Sequence, residues 1–551
     1  MRRLLTGVLL AVWPPTVGQA DGIAGFVDVT AEAGIRFQHV SGAQDDRLMP
    51  ETYGSGVALF DFDADGFLDL YWVNGGSLDG SVQAAATNAL YRNSGDGIFV
   101  DRTKACRAGD RGYGMGVAVG DYDSDGDLDM YVTNFGPNVL YRNEIEGEAR
   151  RFATVTEAAG VADDGWGTSA AFSDVDKDGH LDLYVANYLE YSVADHPSCT
   201  VGGTDLLIYC DPRRFAPQRD RFFRNLGPAS HWTFEDRTEA AGLAQDVGKE
   251  LGVIFSDVDL DGDQDLYLAC DLTPNLLFIN DDGVFRETGL ASGTKLNDEG
   301  ELEAGMGVDA ADVDGDGLPE LFVTNFQWQS NTMYQNLGGG FFLDATAAVG
   351  LEGASMPYLG FGTGFIDYDN DGDMDLFVAN GHVDGNVDQY DPASRYGQQN
   401  QLFENLGDGV FDEVETRSQA DVSRGTAFGD YDNDGDLDIA VSNSNGRSQL
   451  LQNRQGNDNH WLGLQLTGGT SNRDALGARV TLKLGDRQTH RQVRRARSYL
   501  SSSDARLLFG LGSADEVDGV TIAWPDGTTQ ILGRTKADRY LVVARSDSRA
   551  P

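Results

Sequence analysis

Basic residues are scarce in this chain. Its 551 residues include 41 Lys and Arg against 88 Asp and Glu, a net charge of −47. That balance excludes nucleic acid as a partner, because phosphate backbones repel such a surface. Long apolar runs are missing after the first twenty residues, so no permanent membrane span is expected. The seven histidines are scattered, with no His-Glu-x-x-His pair. Gly-x-Ser-x-Gly turns and Walker-type phosphate loops are absent as well, which removes three common catalytic or nucleotide-binding signatures. His382, just after an apolar run, reads as a satisfied loop histidine, and no catalytic residue is assigned. Segments of helical period are lacking, while Gly is abundant at 70 residues, so the chain reads as strands joined by tight turns.

The N-terminus carries Arg2 and Arg3, the apolar run Leu4 to Trp13, and the small-residue stretch Val17-Gly18-Gln19-Ala20. Residues 1–20 are therefore expected to be a secretory signal, and the protein to be secreted or periplasmic. Four cysteines are present. Cys199 and Cys210 bracket a loop in an irregular insertion at about 188–220, and an oxidising compartment favours their pairing. Cys270 lies in an apolar run and reads as a small buried residue; nothing pairs it with Cys106.

What the chain does have is repetition. An Asp-x-Asp-x-Asp-Gly-x-x-Asp loop starts at residues 61, 121, 174, 257, 312, 367 and 430. Positions one, three, five and nine are Asp61, Asp63, Asp65 and Asp69 in the first copy, and Asp121, Asp123, Asp125 and Asp129 in the second. The third has Asp174, Asp176, Asp178 and Asp182; the fourth has Asp257, Asp259, Asp261 and Asp265. The fifth has Asp312, Asp314, Asp316 and Glu320, with Gly315 between ligands. The sixth has Asp367, Asp369, Asp371 and Asp375, and the seventh Asp430, Asp432, Asp434 and Asp438. A Gly-rich apolar strand precedes each loop and another strand follows it. In several copies an Asn-x-x-aromatic-x-Asn strand and a short Phe-x-Asp-x-Thr strand come next. Seven units of about four strands predict a seven-bladed β-propeller over 21–456. The last unit lacks its Phe-x-Asp-x-Thr strand, and Phe26-Val27-Asp28-Val29-Thr30 supplies a spare copy. Residues 26–30 are thus expected to close blade seven, so that no sheet edge is left open.

Hard carboxylate oxygens converging from alternate positions, with a Gly for the sharp turn, are calcium chemistry rather than zinc or copper chemistry. Carboxylates about 5 Å apart repel by roughly 3 kcal/mol per pair at an effective dielectric near 20. Turn formation alone does not call for four acids in every copy; a divalent ion does. Up to seven structural Ca2+ ions are expected, one per blade. The position-seven side chain varies, as it should if only its carbonyl is used.

From residue 457 the repeats stop and short alternating segments predict a small β-sandwich-like domain over 457–551. Residues 455–551 hold 14 Lys and Arg against 10 Asp and Glu. Arg491, Arg494, Arg495 and Arg497 read as a solvated face packing near the acidic propeller, with an anion-binding patch as the alternative. The loops and their frame resemble FG-GAP/VCBS repeats. Ser471-Asn472-Arg473, Ala475 to Val480, Ser498 to Ser501, Phe509-Gly510-Leu511-Gly512 and Trp524-Pro525-Asp526-Gly527 resemble an ASPIC/UnbV domain. The pairing is similar to the cartilage acidic protein family in its bacterial form. That resemblance implies a secreted calcium-binding propeller acting as an adhesion or interaction scaffold for an extracellular protein or glycan. The alternative is a calcium-dependent lyase, hydrolase or cyclase acting on a polysaccharide or secondary metabolite.

Overall fold

The computed structural model describes residues 25–78, 86–147, 149–416 and 419–545; the expected signal at 1–20 lies outside the described residues. Seven antiparallel sheets form the blades of a β-propeller. Blade one is typical, with strands Val57–Phe60, Asp69–Trp72, Ala89–Asn93 and Phe99–Asp101. The acidic loop joins its first strand to its second. In blade two a single strand, Asp129–Glu146, runs through the places of the second and third strands. First strands read as short apolar or Gly-rich runs because they pack on both faces, one blade against the next. These contacts pass in order round the ring, and Ser423–Gly429 of blade seven packs on Val57–Phe60 of blade one.

A ring of asparagines shows how the blades are tied. The last Asn of each third strand donates its side-chain amide to the loop of the preceding blade. Asn143 reaches the Phe62 carbonyl at 2.8 Å, Asn225 that of Tyr122 at 2.9 Å and Asn280 that of Val175 at 2.8 Å. Asn336, Asn405 and Asn453 bond Val258, Val313 and Tyr368 in the same way. Asn93 completes the circuit by bonding Tyr431 of blade seven at 2.9 Å. Every one of these carbonyls is at position two of an acidic loop. A planar amide fixed at both ends of such a junction sets the spacing of neighbouring blades.

Blade seven draws on both ends of the ring. Phe26–Asp28 pairs antiparallel with Gln449–Asn453, in the register Phe26 to Asn453. Thr30 then does what the same residue of the repeat does elsewhere. Its amide bonds Asp28 Oδ1 at 3.0 Å and its hydroxyl accepts from Leu450 N at 2.8 Å. Thr103 and Thr346 repeat both contacts in blades one and five.

Two larger sheets and a two-stranded one, Glu516–Val517 with Thr535–Lys536, make up the C-terminal domain. One of the larger pair joins His460–Thr467 to Leu507–Gly512 and, in parallel, to Arg539–Ala544. The other contains Arg479–Leu484, Arg487–Gln492, Gly519–Ala523 and Thr529–Leu532. Leu462, Leu464, Val480, Phe509 and Ile522 fill the space between them. Between the two sheets the chain leaves the domain and enters the axis of the ring. Ser498 exchanges backbone hydrogen bonds with Val308, Ser502 does so with Phe60's neighbours Val57 and Leu59, and Val117 donates to Leu500. Ser498 Oγ accepts from Thr363 N and Ser503 Oγ from Phe428 N, so blades one, two, five, six and seven are all engaged. Tyr499, fully buried, stacks edge-on against Phe361 at 5.1 Å and donates to the Tyr53 carbonyl at 2.9 Å. The propeller is therefore plugged along its axis by its own C-terminal domain.

Candidate metal centres

The seven loops share one backbone course. Position six is Gly with φ from +89° to +99° in every copy, a conformation for which a Cβ is costly. Position four is left-handed too, with φ between +53° and +63° for Ala64, Ser124, Lys177, Leu260, Asn370 and Asn433. Gly315 occupies that place in the fifth loop and is the residue best suited to it. The fifth loop's departure from the pattern thus relieves strain rather than weakening the turn.

Each acid has a distinct task. At position one, Oδ2 accepts the amide of the position-six Gly, as from Gly66 at 2.8 Å and Gly435 at 2.9 Å. At position five, Oδ1 accepts the position-seven amide, as Asp65 does from Phe67 and Asp261 from Asp263. Position nine is buried and uses both oxygens: Asp69 accepts from Asn93 N at 2.8 Å and from Phe62 N at 3.0 Å. Glu320 does the same with Asn336 and Val313, its longer side chain serving equally well.

In five of the loops three carboxylates meet with ligand atoms within 4.8 Å of one another. They come from Asp61, Asp63 and Asp69; Asp121, Asp123 and Asp129; Asp257, Asp259 and Asp265; and, with position five replacing nine, Asp174, Asp176 and Asp178, and Asp312, Asp314 and Asp316. Buried oxygens of Asp63, Asp123, Asp257 and Asp432 have no hydrogen-bond partner. Burial, Asp474 and the neighbouring loop acids push Asp121 up to about 8, and burial with the loop acids pushes Asp257 up to about 6. For Asp265 burial outweighs its amide hydrogen bonds and raises it to about 8, and Glu320 is raised to about 9 in the same way. Crowded, desolvated and partly unpartnered oxygens of this kind fit a hard divalent cation, which supplies the missing positive charge. When bound, such an ion would be held by positions one, three, five and nine and would tie the first and second strands of its blade.

Third-strand arginines pair with acids of two of the loops. Arg92 pairs with Asp63 and Asp65 in the first, and Arg224 with Asp176 and Asp178 in the third. The equivalent place is Ile279 in blade four and Glu404 in blade six.

The C-terminal domain lies over the end of the ring that carries these loops. Arg491 pairs with Asp367 at 3.1 Å, Tyr540 donates to Asp430 at 2.8 Å, and Arg487 pairs with Asp373 at 2.6 Å. Arg494 and Arg497 share Asp309, while Arg495 pairs with Asp474. The basic stretch is thus not a solvated face. Arg495 is buried and the other three are half-buried between domain and ring, where the propeller supplies acids for Arg491, Arg494 and Arg497 and the domain's own Asp474 serves Arg495.

At the opposite end the insertion lies across the ring. Cys199 and Cys210 form a disulfide, and Cys106 and Cys270 are free and buried. Tyr209 donates to Glu51 at 2.9 Å, its amide bonds Asp384, and Asn386 bonds the Leu207 carbonyl. His382 is buried and accepts the Asp384 amide at 3.0 Å, so it serves as a structural group. Beneath lies Arg424, fully buried, which donates to the carbonyls of Thr52, Gly381, Ser423 and His382. Its guanidinium sits 3.9 Å from the Phe361 ring centroid. The repeat motifs gave no sign of this network, because its members come from irregular segments that meet only in the folded ring.

Repeat propeller and C-terminal β domain together define the class. Residues 61–132, 121–185, 257–323 and 312–378 match the FG-GAP-like repeat, and residues 468–550 match the ASPIC and UnbV family. The chain is an FG-GAP-repeat propeller with a C-terminal ASPIC and UnbV domain, the pairing of the cartilage acidic protein family. It is 27% identical to cartilage acidic protein 1 of Homo sapiens over 435 residues, covering 76% of this chain and 60% of that one. It is also 27% identical to cartilage acidic protein 1 of Xenopus tropicalis over 446 residues, covering 78% and 63%. The chain thus spans less than two thirds of the length of these relatives. Among solved structures it is similar to an Agrocybe aegerita lectin that recognises non-reducing terminal N-acetylglucosamine, at 15% identity and a TM-score of 0.38 over 72% of this chain and 87% of the lectin chain. No helix among the described residues is long and apolar enough to cross a membrane.

Proposed function

We propose that this protein is an extracellular interaction scaffold: a propeller stiffened by one calcium ion per blade, which presents its insertion face to a protein or glycan. The observation that carries the reading is the unequal use of the two ends. The calcium-loop end is covered by the C-terminal domain and the axis is filled by residues 494–504, so neither offers a ligand the ring's own surface. The insertion end is left, where exposed residues such as Thr200, Thr204 and Asp205 stand on a disulfide-tied loop. Loops held on a rigid frame are the usual place for recognition. The disulfide also agrees with an oxidising, extracellular setting, as does the likeness to cartilage acidic protein 1.

The test is a glycan and extracellular-protein binding array, probed with the full chain in calcium and in EGTA. A variant whose residues 200–209 are replaced by a Gly-Ser linker, leaving both cysteines, is run beside it. Saturable binding that needs calcium and is lost in the linker variant supports the reading. Turnover of a captured ligand would overturn it in favour of an enzyme, and unchanged binding by the linker variant would remove the insertion from the contact surface.

A further inference from the structure

A cavity of about 100 Å³ lies between the loops of blades four to seven and the C-terminal domain. Five arginines line it: Arg479, Arg491, Arg494, Arg497 and Arg506. Phe365, Met374 and Phe428 form an apolar wall. Three of the arginines are deeply placed, with side chains 8%, 13% and 16% exposed for Arg491, Arg494 and Arg497. The Nε of each of these three is buried without a hydrogen-bond partner.

Their other nitrogens are engaged, so the side chains are held in place. Arg491 is on Asp367 at 3.1 Å, Arg494 donates to the Ala310 carbonyl at 2.6 Å, and Arg497 donates to the Phe365 carbonyl at 3.4 Å. Asp309 lies 3.6 Å from Arg494 and 3.4 Å from Arg497, so two guanidinium charges share one carboxylate. Arg479 donates to the Gly317 carbonyl at 2.5 Å. Burial holds Arg494 down at about 10, which still leaves it charged at neutral pH.

A buried donor without an acceptor costs about 1–3 kcal/mol, more when charged, and folded proteins seldom leave three beside one cavity. Asp257, Asp312 and Asp504 line the cavity too; Asp504 is paired with Arg506 and the other two belong to the metal loops. The five guanidinium groups still outnumber the lining carboxylates and present planar donors suited to oxyanions. A five-atom ion fits that space. We propose that the cavity is an anion site for one free inorganic oxyanion, sulfate or phosphate, held by Arg491, Arg494 and Arg497. It would act as a buried link between ring and C-terminal domain.

The experiment is calorimetric titration of sodium sulfate into the full chain, in calcium-containing buffer at constant ionic strength. The expected result is saturable binding with one site per chain. Arg497→Gln leaves Arg494 on Asp309, and Arg494→Gln leaves Arg497 there, so each variant keeps that acid paired. Each should weaken sulfate at least tenfold, with the fold of both verified by near-UV circular dichroism. Absence of saturable heat from the unmodified protein, or equal affinity in two folded variants, overturns the proposal.

Discussion

At the scale of the residue, the acids of the repeat divide into those that face the loop centre and those that also hold the blade together. The carboxylate at position nine, with both oxygens on backbone amides, belongs to the second group. Arg92 and Arg224 mark where metal and side chain compete for the same oxygens. Arg92→Gln should therefore tighten the first loop by about tenfold, the effect of some 1.4 kcal/mol. Titration against a competing chelator should show one more equivalent of calcium retained at low free calcium; unchanged retention would remove the arginine as a competitor. A second prediction concerns His382, which burial and, to a lesser degree, Arg424 push down to about 4. Its folded value lies below its ordinary 6.5, so the unfolded chain binds the extra proton. Stability present above pH 6.5 is then lost as the pH falls towards 4. In His382→Asn the loss between pH 6.5 and 5 should be smaller by up to about 1.4 kcal/mol per pH unit, read from urea midpoints.

At the scale of the element, the strand that closes blade seven was legible, because Phe26-x-Asp28-x-Thr30 has the same local bonds as its counterparts. A repeat states where a missing member belongs. The axial plug was not legible: Ser498-Tyr499-Leu500-Ser501 has no periodicity of its own, and only the assembled ring provides its partners. The second Asn of the Asn-x-x-aromatic-x-Asn strand was visible as a motif, yet its bond to the preceding blade is a contact that spacing along the chain does not report. The basic stretch was misread for the same reason, since Asp309 and Asp367, which pair with three of its arginines, are over a hundred residues away. Tyr499→Ala should cost about 3–5 kcal/mol, the range for emptying an aromatic core site. It should also raise amide exchange along the first strands of several blades at once. A loss below 1 kcal/mol, or exchange confined to the C-terminal domain, would show that the plug does not brace the ring.

At the scale of the molecule, the acidity that opens the sequence is largely architectural. The 28 acids at the four loop positions are about a third of all Asp and Glu. Others of the ring serve as counter-charges for the C-terminal arginines. Fold and candidate sites could be read from the chain because the same local chemistry is written seven times. Ligand and contact surface could not, since they depend on how irregular segments meet at the ends of the ring. The central claim is that calcium holds the blades, and the most direct test is the melting temperature of the full chain at pH 7.5 in 1 mM calcium and in excess EGTA. Ions that bind only the folded state at one hundred times their Kd contribute about 2.7 kcal/mol each. For a chain of this length, filling three loops predicts a fall of about 7 °C in EGTA and filling all seven roughly 15–20 °C, reversed on adding calcium back. A melting temperature that is the same in both buffers would contradict the account.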